Sequence, residues 1–410
     1  MSTRYDLIII GGGAAGFYAG IHYATAKPHA SVLILEQGTS FLSKVKVSGG
    51  GRCNVTNYTI DPIDLVKNYP RGHKELLGPF YQYGPLDTIA FFESHGIELK
   101  VEDNGRMFPV SNSSSSIVNL LETLAQELQV ELKTSSGVKS ISNSSSSWIV
   151  STNHQEYSAA KLLIASGSSK FIWNQLASIG IPIIAPVPSL FTFKVSQHPM
   201  GHLSGLSAQV ELRIDIAHNS KPINSSGPLL ITHQGFSGPA VLECSAWGAL
   251  ALHQLNYQFD LKIDWLPNYS KEELNNTFKE LRINSGTKSM GTIDFIDLPK
   301  RLWEYFLQSA GIEKQQQWAQ LSKVQLSNLI ASLKESSLAV DGKSTFKEEF
   351  VSAGGVDLKS VNFKTMESRI HPGLYFAGEV LNIDAITGGY NFQNAWTTAY
   401  IASSALAENY

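Results

Sequence analysis

The chain has 410 residues, of which 43% are hydrophobic and 16% charged, with a formal net charge of −3; this excludes a disordered chain and a surface built wholly for polyanions, though not a local basic patch. The length suits two or three domains, and two cysteines, Cys53 and Cys244, exclude a disulfide framework. No run of about 18 apolar residues occurs, and the opening MSTRYDLIIIGGG lacks a basic leader with a longer apolar segment and a cleavage site, so the expectation is a cytoplasmic protein with no membrane segment.

Residues 5–36 read as strand, glycine turn, helix and strand: YDLIII, GGGAAG, FYAGIHYATA and SVLILE. Gly11, Gly13 and Gly16 form GxGxxG at the strand–helix junction, and Glu36 ends the next strand at the spacing of a dinucleotide site. The glycines allow a tight turn, backbone approach to a pyrophosphate and close helix packing, while the helix start supplies partial positive charge. Ala14 and Ala15 belong to the same expected cofactor set, and Glu36 is suited to a ribose, with Gln37 beside it. Next comes SGGGRCNVTN, residues 48–57, preceded by Lys44. Ser48, Gly49, Gly50, Gly51, Arg52, Cys53 and Asn54 are expected to touch the cofactor, the glycines through backbone N–H groups and Arg52 through a permanent charge.

GRMFPVS (105–111) leads into a helix whose start is expected among Ser111 to Ser113, and the two SNSSSS runs read as caps and turns, the second joining the strands VKSIS and SWIVST. KLLIASGSS (161–169) is a buried strand closed by a small-residue turn. From residue 186 to about 265 the apolar residues alternate in short runs, and 270–337 has helical spacing. GLYFAGEV and TGGYNFQNAW then return to strand, glycine turn and helix. The expected division is a discontinuous nucleotide-binding domain, 1–188 with 346–410, interrupted by a β insert at 189–267 and a helical region at 268–345.

A return to the sheet at the C-terminal end favours FAD over a nicotinamide as the resident dinucleotide. A helix start at Gly389, Tyr390 and Asn391 suits the pyrimidine side of a flavin, and Gly378 and Glu379 suit the ribityl or pyrophosphate. A second GxGxxG is missing, so NADH or NADPH is expected only as a transient electron donor. Tyr58 stands where a dithiol loop of CxxxxC spacing would carry its second cysteine, which rules out a redox-active pair in this loop. Cys53 is then either a proton donor near the flavin or a small packing residue. In THQGFSGPAVL, Ser237 is the expected helix cap, Pro239 an early helical residue, and His233 either a general acid or a structural hydrogen-bonder. Neither CxxC nor HExxH occurs, and no metal is expected.

SGGGRCNVTN, GRMFP, THQGFSGPAVL, SAGGV and GLYFAGEVLNIDAITGGYNFQNAW together resemble the BaiN/RdsA (YhiN-like) family of FAD-dependent oxidoreductases over nearly the whole chain. The resemblance implies an α/β fold, a glutathione-reductase-type Rossmann-like FAD domain interrupted by a β-barrel-like plus helical insert. It implies backbone contacts from Val138 to the adenine, and Ser166 and Gly167 bordering the cofactor, with ASG in place of the family's ATG. It also implies reduction of a polarised C=C bond, in a small-molecule enone or in a uridine of 23S ribosomal RNA, with the proton coming from Cys53, His233, Tyr390 or water. PKRLWEYF (299–306) with Lys314 and Lys323 offers a basic, aromatic surface for RNA, or else an ordinary solvated helix. Two other readings stay open: an amine or aminoketone oxidase, and a flavin-bearing RNA-binding protein without turnover.

Overall fold

The structure is a computed structural model, described here for residues 3–144, 147–216, 221–292, 295–344 and 351–408. Part of the second serine run, Ser145 and Ser146, and the expected boundary at 345/346 lie outside the described residues. The chain forms two compact units, one from 1–188 with 347–410 and the other from 189–346.

The first unit is built on a twisted sheet whose central strands are parallel. Thr3–Ile10 lies between Val32–Leu35 and Glu156–Ile164; Glu131–Lys133 extends one side and Leu374–Phe376 the other. The strands VLIL and LLI are buried throughout, as expected for a sheet covered on both faces. Helix Ala14–Ala26 buries Phe17, Tyr18, Ile21 and Tyr23, and helix Tyr390–Glu408 packs along it. The hairpin Val138–Ser144 with Ser147–Thr152 joins the sheet antiparallel through Glu156–Ile164. A small antiparallel sheet of Thr56–Asn57, Arg106–Pro109 and Leu99–Val101 stands apart. Helix Ser114–Glu127 starts where expected: Ser113 is its cap, accepting from the Ser115 N–H.

The chain leaves this unit through Ile183–Pro188 and re-enters through Ser352–Val356, and these two strands pair antiparallel. The strand 352–356 is the SAGGV segment, whose glycines permit a positive φ at Gly354 and Gly355.

The second unit is an antiparallel seven-stranded sheet, in the order Ser336–Val340, Phe259–Asp264, Ser207–Ile214, Ile223–Thr232, Gly235–Ser237, Thr192–Lys194 and Gly342–Ser344. Its two edge strands are consecutive in the chain, with only Asp341 between them. One residue spans roughly 3.4 Å, so the sheet must curl until its edges meet, which is the barrel-like insert. Strands 336–340 and 342–344 fall within the stretch expected to be helical: their short alternating pattern follows directly on helix Lys323–Lys334. The helices Lys271–Asn284, Lys300–Ser309 and Lys323–Lys334 share one hydrophobic core with the sheet, joining Trp303, Phe306 and Leu333 to Leu212 and Ile263. The aromatic residues of PKRLWEYF therefore divide: Trp303 and Phe306 are core, not a surface for stacking bases. No helix among the described residues is long and apolar enough to cross a membrane.

Candidate functional site

The nucleotide end of the site is assembled at the carboxyl end of strand Thr3–Ile10. Gly11 has φ +114°, and a Cβ there would strike the Ala165 carbonyl and lie 2.8 Å from the Ser166 Cα. This brings the ASG turn against the GxGxxG loop. Gly13 precedes helix Ala14–Ala26, which has no side-chain cap, so its first N–H groups are left for a ligand. A Cβ at Gly13 would meet nothing within 4 Å; the backbone here faces open space where an anion can reach the helix start.

Glu36 is held on both oxygens, accepting from Gly12 N–H at 2.9 Å and Gly38 N–H at 2.7 Å. Each oxygen keeps lone-pair capacity for a ribose hydroxyl. Backbone bonds from Ser135 to Gly38 and from Ser136 to Glu36, 2.7 and 2.8 Å, dock the next loop here. Gln37 thereby comes next to Gly137, one residue before Val138. Lys44 reaches Glu379 at 2.6 Å and Ser168 Oγ at 3.5 Å. The Glu379 carboxylate lies 3.6 Å from where a Gly167 Cβ would stand, and Gly378 is packed close to Ala15 and Ala395. Gly11, Ala15, Lys44, Ser166, Gly167, Gly378 and Glu379, drawn from four distant segments, thus share one cleft. The Ser166 hydroxyl and the Asn54 side-chain oxygen are buried without a hydrogen-bond partner, and groups of that kind are normally satisfied. Open backbone at Gly13 and these polar atoms fit a dinucleotide lying across the sheet edge.

At the other end stands the start of helix Tyr390–Glu408. Gly389 has φ +95°, and a Cβ there would run into the Thr56 carbonyl; only glycine lets the TGGY turn press against the GRCNVTN loop. The contact is tied by Asn57 Nδ2 donating to Gly388 O at 3.0 Å, Thr56 Oγ1 to Gln393 Oε1 at 2.5 Å and Trp396 Nε1 to Val55 O at 2.9 Å. Tyr69 OH donates to Tyr390 O at 2.6 Å. The Asn391 side chain is committed to Ala385, accepting from its N–H at 3.0 Å and donating to its carbonyl at 3.1 Å. These two bonds fix the Asn391 side chain against the segment before the turn.

The SGGG loop takes a different shape from the one expected. Helix Ser43–Gly51 loses helical geometry at Ser48, and Gly49, Gly50 and Gly51 have φ of 57°, 68° and 82°. Built Cβ atoms at Gly50 and Gly51 would meet nothing within 4 Å, so this backbone is open to a ligand. Arg52 is not: its guanidinium donates to Glu102 at 2.9 and 3.2 Å and lies 4.0 Å from the Phe108 ring centroid. A guanidinium with a carboxylate and a ring already in place serves the small sheet, which corrects its expected phosphate role. Cys53 is fully buried in the hydrophobic core, and burial pushes its thiol up to about 12. Buried in this way, the thiol stays protonated near neutral pH and packs as a small core residue.

His233 lies in the other unit, exposed on the hairpin between Ile223–Thr232 and Gly235–Ser237. Ser237 ends a strand and does not cap the following helix. Gly238 is the N-cap of Pro239–Gln254, with φ +95°, because a Cβ there would lie 2.8 Å from the Pro228 carbonyl. Pro239 is at the helix start, as expected. Sequence reasoning missed Asn57, Tyr69 and the ion pair of Arg71 with Asp384. Nothing local flags that pair: its members are 313 residues apart.

The sequence matches the family profile described as HI0933-like protein Rossmann domain over residues 5–405. The chain belongs to this family. It is a family of FAD-dependent oxidoreductases. The chain is 31% identical to a ribosomal RNA dihydrouridine synthase of Haemophilus influenzae, over 99% of this chain and 100% of that one. It is 29% identical to a 3-dehydro-bile acid delta(4,6)-reductase of Clostridium scindens, over 98% of each. Among solved structures it is similar to a 3-ketosteroid-delta4-(5alpha)-dehydrogenase from Rhodococcus jostii RHA1, with a TM-score of 0.50, 13% identity, and 99% and 97% coverage. The 3-ketosteroid delta1-dehydrogenase from Sterolibacterium denitrificans gives a TM-score of 0.51 at 12% identity, over 99% and 100% of the two chains. At these identities the likeness to solved structures is one of fold.

Proposed function

We propose that the HI0933-like family member described here reduces a uridine of ribosomal RNA to dihydrouridine, with NADH or NADPH as the electron source. The observation that carries this reading is the 31% identity, end to end, with the ribosomal RNA dihydrouridine synthase of Haemophilus influenzae. The balance is uridine plus NAD(P)H plus a proton, giving dihydrouridine and NAD(P)+. Two hydrogens add across the C5=C6 bond, which is polarised by the C4 carbonyl.

Bound FAD supplies the capacity to accept two electrons and pass them on as hydride. The residues of this chain do the rest. Gly11, Gly13 and the helix start after them take the pyrophosphate, Glu36 the ribose, and the backbone at Gly389 and Tyr390 the pyrimidine edge of the flavin, where helix N–H groups stabilise negative charge. The buried Thr56, Gln393 and Trp396 bonds hold that edge in place. The second hydrogen arrives as a proton from water or from a protein acid.

The test uses purified FAD-loaded protein, NADPH or NADH, and ribosomal RNA from a strain lacking the gene. The expected result is a mass gain of two hydrogens on one uridine. Absence of that product, with bound flavin still bleached by the nicotinamide, overturns the reading. The relative from Clostridium scindens favours a second substrate class, a steroid-like enone, and its consumption in place of uridine would establish that reading instead.

A further inference from the structure

Two short segments of the second unit, 286–291 and 314–319, run antiparallel as a stub at the end of the helical layer. Met290 N–H donates to Gln316 O at 2.9 Å, Gly291 N–H to Lys314 O at 2.8 Å, Trp318 N–H to Lys288 O at 3.1 Å and Ala319 N–H to Gly286 O at 2.9 Å. Arg282 lies in the last turn of the helix that feeds one side, and Lys323 opens the helix that leaves the other. Arg282, Lys288, Lys314 and Lys323 are all exposed. None of them, nor Lys279 nearby, is in an ion pair among the described residues.

Charge and chemistry of the stub depart from the rest of the chain. Residues 279–292 and 311–325 hold the five cations Lys279, Arg282, Lys288, Lys314 and Lys323 against the two anions Glu280 and Glu313, whereas the whole chain has a net charge of −3. Their exposed neighbours include the amides and hydroxyls of Asn284, Thr287, Gln315, Gln317, Gln320 and Ser322, along with the apolar Ile283 and Val324. Elsewhere on this unit some surface cations are paired, as Arg213 and Lys262 are with Asp215 at 2.8 and 2.9 Å. Unpaired cations interleaved with neutral hydrogen-bonding side chains suit a row of phosphates, since they neutralise charge without a fixed protein partner to displace. The stub is about five residues long, roughly 17 Å at strand rise, enough to track a few consecutive phosphates.

We infer that this stub, through Arg282, Lys288, Lys314 and Lys323, is the surface on which the protein grips the phosphate backbone of its RNA substrate. The inference rests on the ribosomal RNA reading and names where the insert serves it. Binding here is independent of base sequence, and selection of the uridine falls to the flavin site.

The test compares the FAD-loaded wild type with the fourfold variant Arg282→Gln/Lys288→Gln/Lys314→Gln/Lys323→Gln. The probe is ribosomal RNA from the deletion strain, titrated from about 50 to 200 mM salt. Each lost phosphate contact flattens the slope of log affinity against log salt by about 0.7 to 0.9, so the variant is expected to be shallower by roughly 3. Bleaching of its flavin by nicotinamide and its far-ultraviolet circular dichroism stay as in the wild type. A variant with the wild-type slope and affinity overturns the inference while leaving the ribosomal RNA reading intact. A wild type that neither binds nor reduces RNA overturns both. Should the variant not fold, the single substitutions Lys288→Gln and Lys314→Gln decide the matter, each expected to remove about one contact's worth of slope.

Discussion

Arg71 and Asp384 make a bidentate ion pair, Nε to Oδ1 and Nη2 to Oδ2, with side-chain exposures of 13% and 0%. A backbone bridge joins the same two residues, and Ile386 N–H donates to Asn68 O at 3.0 Å alongside. Four residues past Asp384 the TGGY turn begins to press on Thr56 and Asn57, so the pair pins the segment that aims the flavin-side helix. Arg71→Met removes the cation and leaves a carboxylate that water cannot reach. Breaking a buried pair from one side costs about 3–5 kcal/mol, whereas replacing both members with apolar residues is often close to neutral. For a unit of this size each kcal/mol is worth about 2–4 °C, so Arg71→Met is expected to lower the melting temperature by roughly 10 °C and to lose FAD on gel filtration. Arg71→Met combined with Asp384→Leu is expected to recover most of the stability but not the FAD, because the orphan charge is gone while the anchor is not restored. The assay is thermal and urea unfolding of both variants, with flavin absorbance read on the same samples. Equal destabilisation of the single and double variants would refute the reasoning, since the loss would then not come from an unpaired buried charge.

Three further outcomes can be measured. Burial among Tyr18, Phe91 and Tyr400 lowers the pKa of His22 from 6.5 to about 4. The unfolded chain therefore takes up a proton that the fold refuses, and stability present above pH 6.5 is lost as pH falls to 4. The loss is about 3 kcal/mol at 1.36 kcal/mol per pH unit, and urea midpoints of His22→Phe should show a correspondingly flatter pH dependence over that window. Gly13→Val should still fold, at a cost of about 1 kcal/mol for the poorer N-cap, since a Cβ there meets nothing within 4 Å, yet purify without yellow colour. Gly11→Ala, aimed at the Ala165 carbonyl, should lower stability as well as FAD content. Cys53→Ala should keep uridine reduction within about twofold and cost about 1–2 kcal/mol of stability for a small void in the core; a large loss of turnover with flavin still bound would restore the thiol to the mechanism.

Where a residue's role follows from its neighbours in the chain, the sequence was enough. GxGxxG between an apolar strand and a small-residue helix, with Glu36 closing the next strand, is a local device: the turn, the helix start and the Glu36 carboxylate lie within about 30 residues, and strand and helix periodicity position them. The C-terminal return to the sheet was legible for the same reason, because GLYFAGEV and TGGYNF repeat the strand, glycine turn and helix order. The side chains of the SGGGRCNVTN loop were not legible. Arg52 turned to Glu102 and Phe108, and Cys53 turned inward, because left-handed residues at Gly49, Gly50, Gly51 and Cys53, broken by a right-handed Arg52, decide direction residue by residue, and hydrophobic pattern carries no record of that. The single Asp341 between the two barrel edges, the pairing of Arg71 with Asp384 and the gathering of four cations on one stub each depend on segments far apart in the chain. Contacts of that kind are set by how the units pack, where burial and charge compensation act across space, and they were decided only when the chain folded.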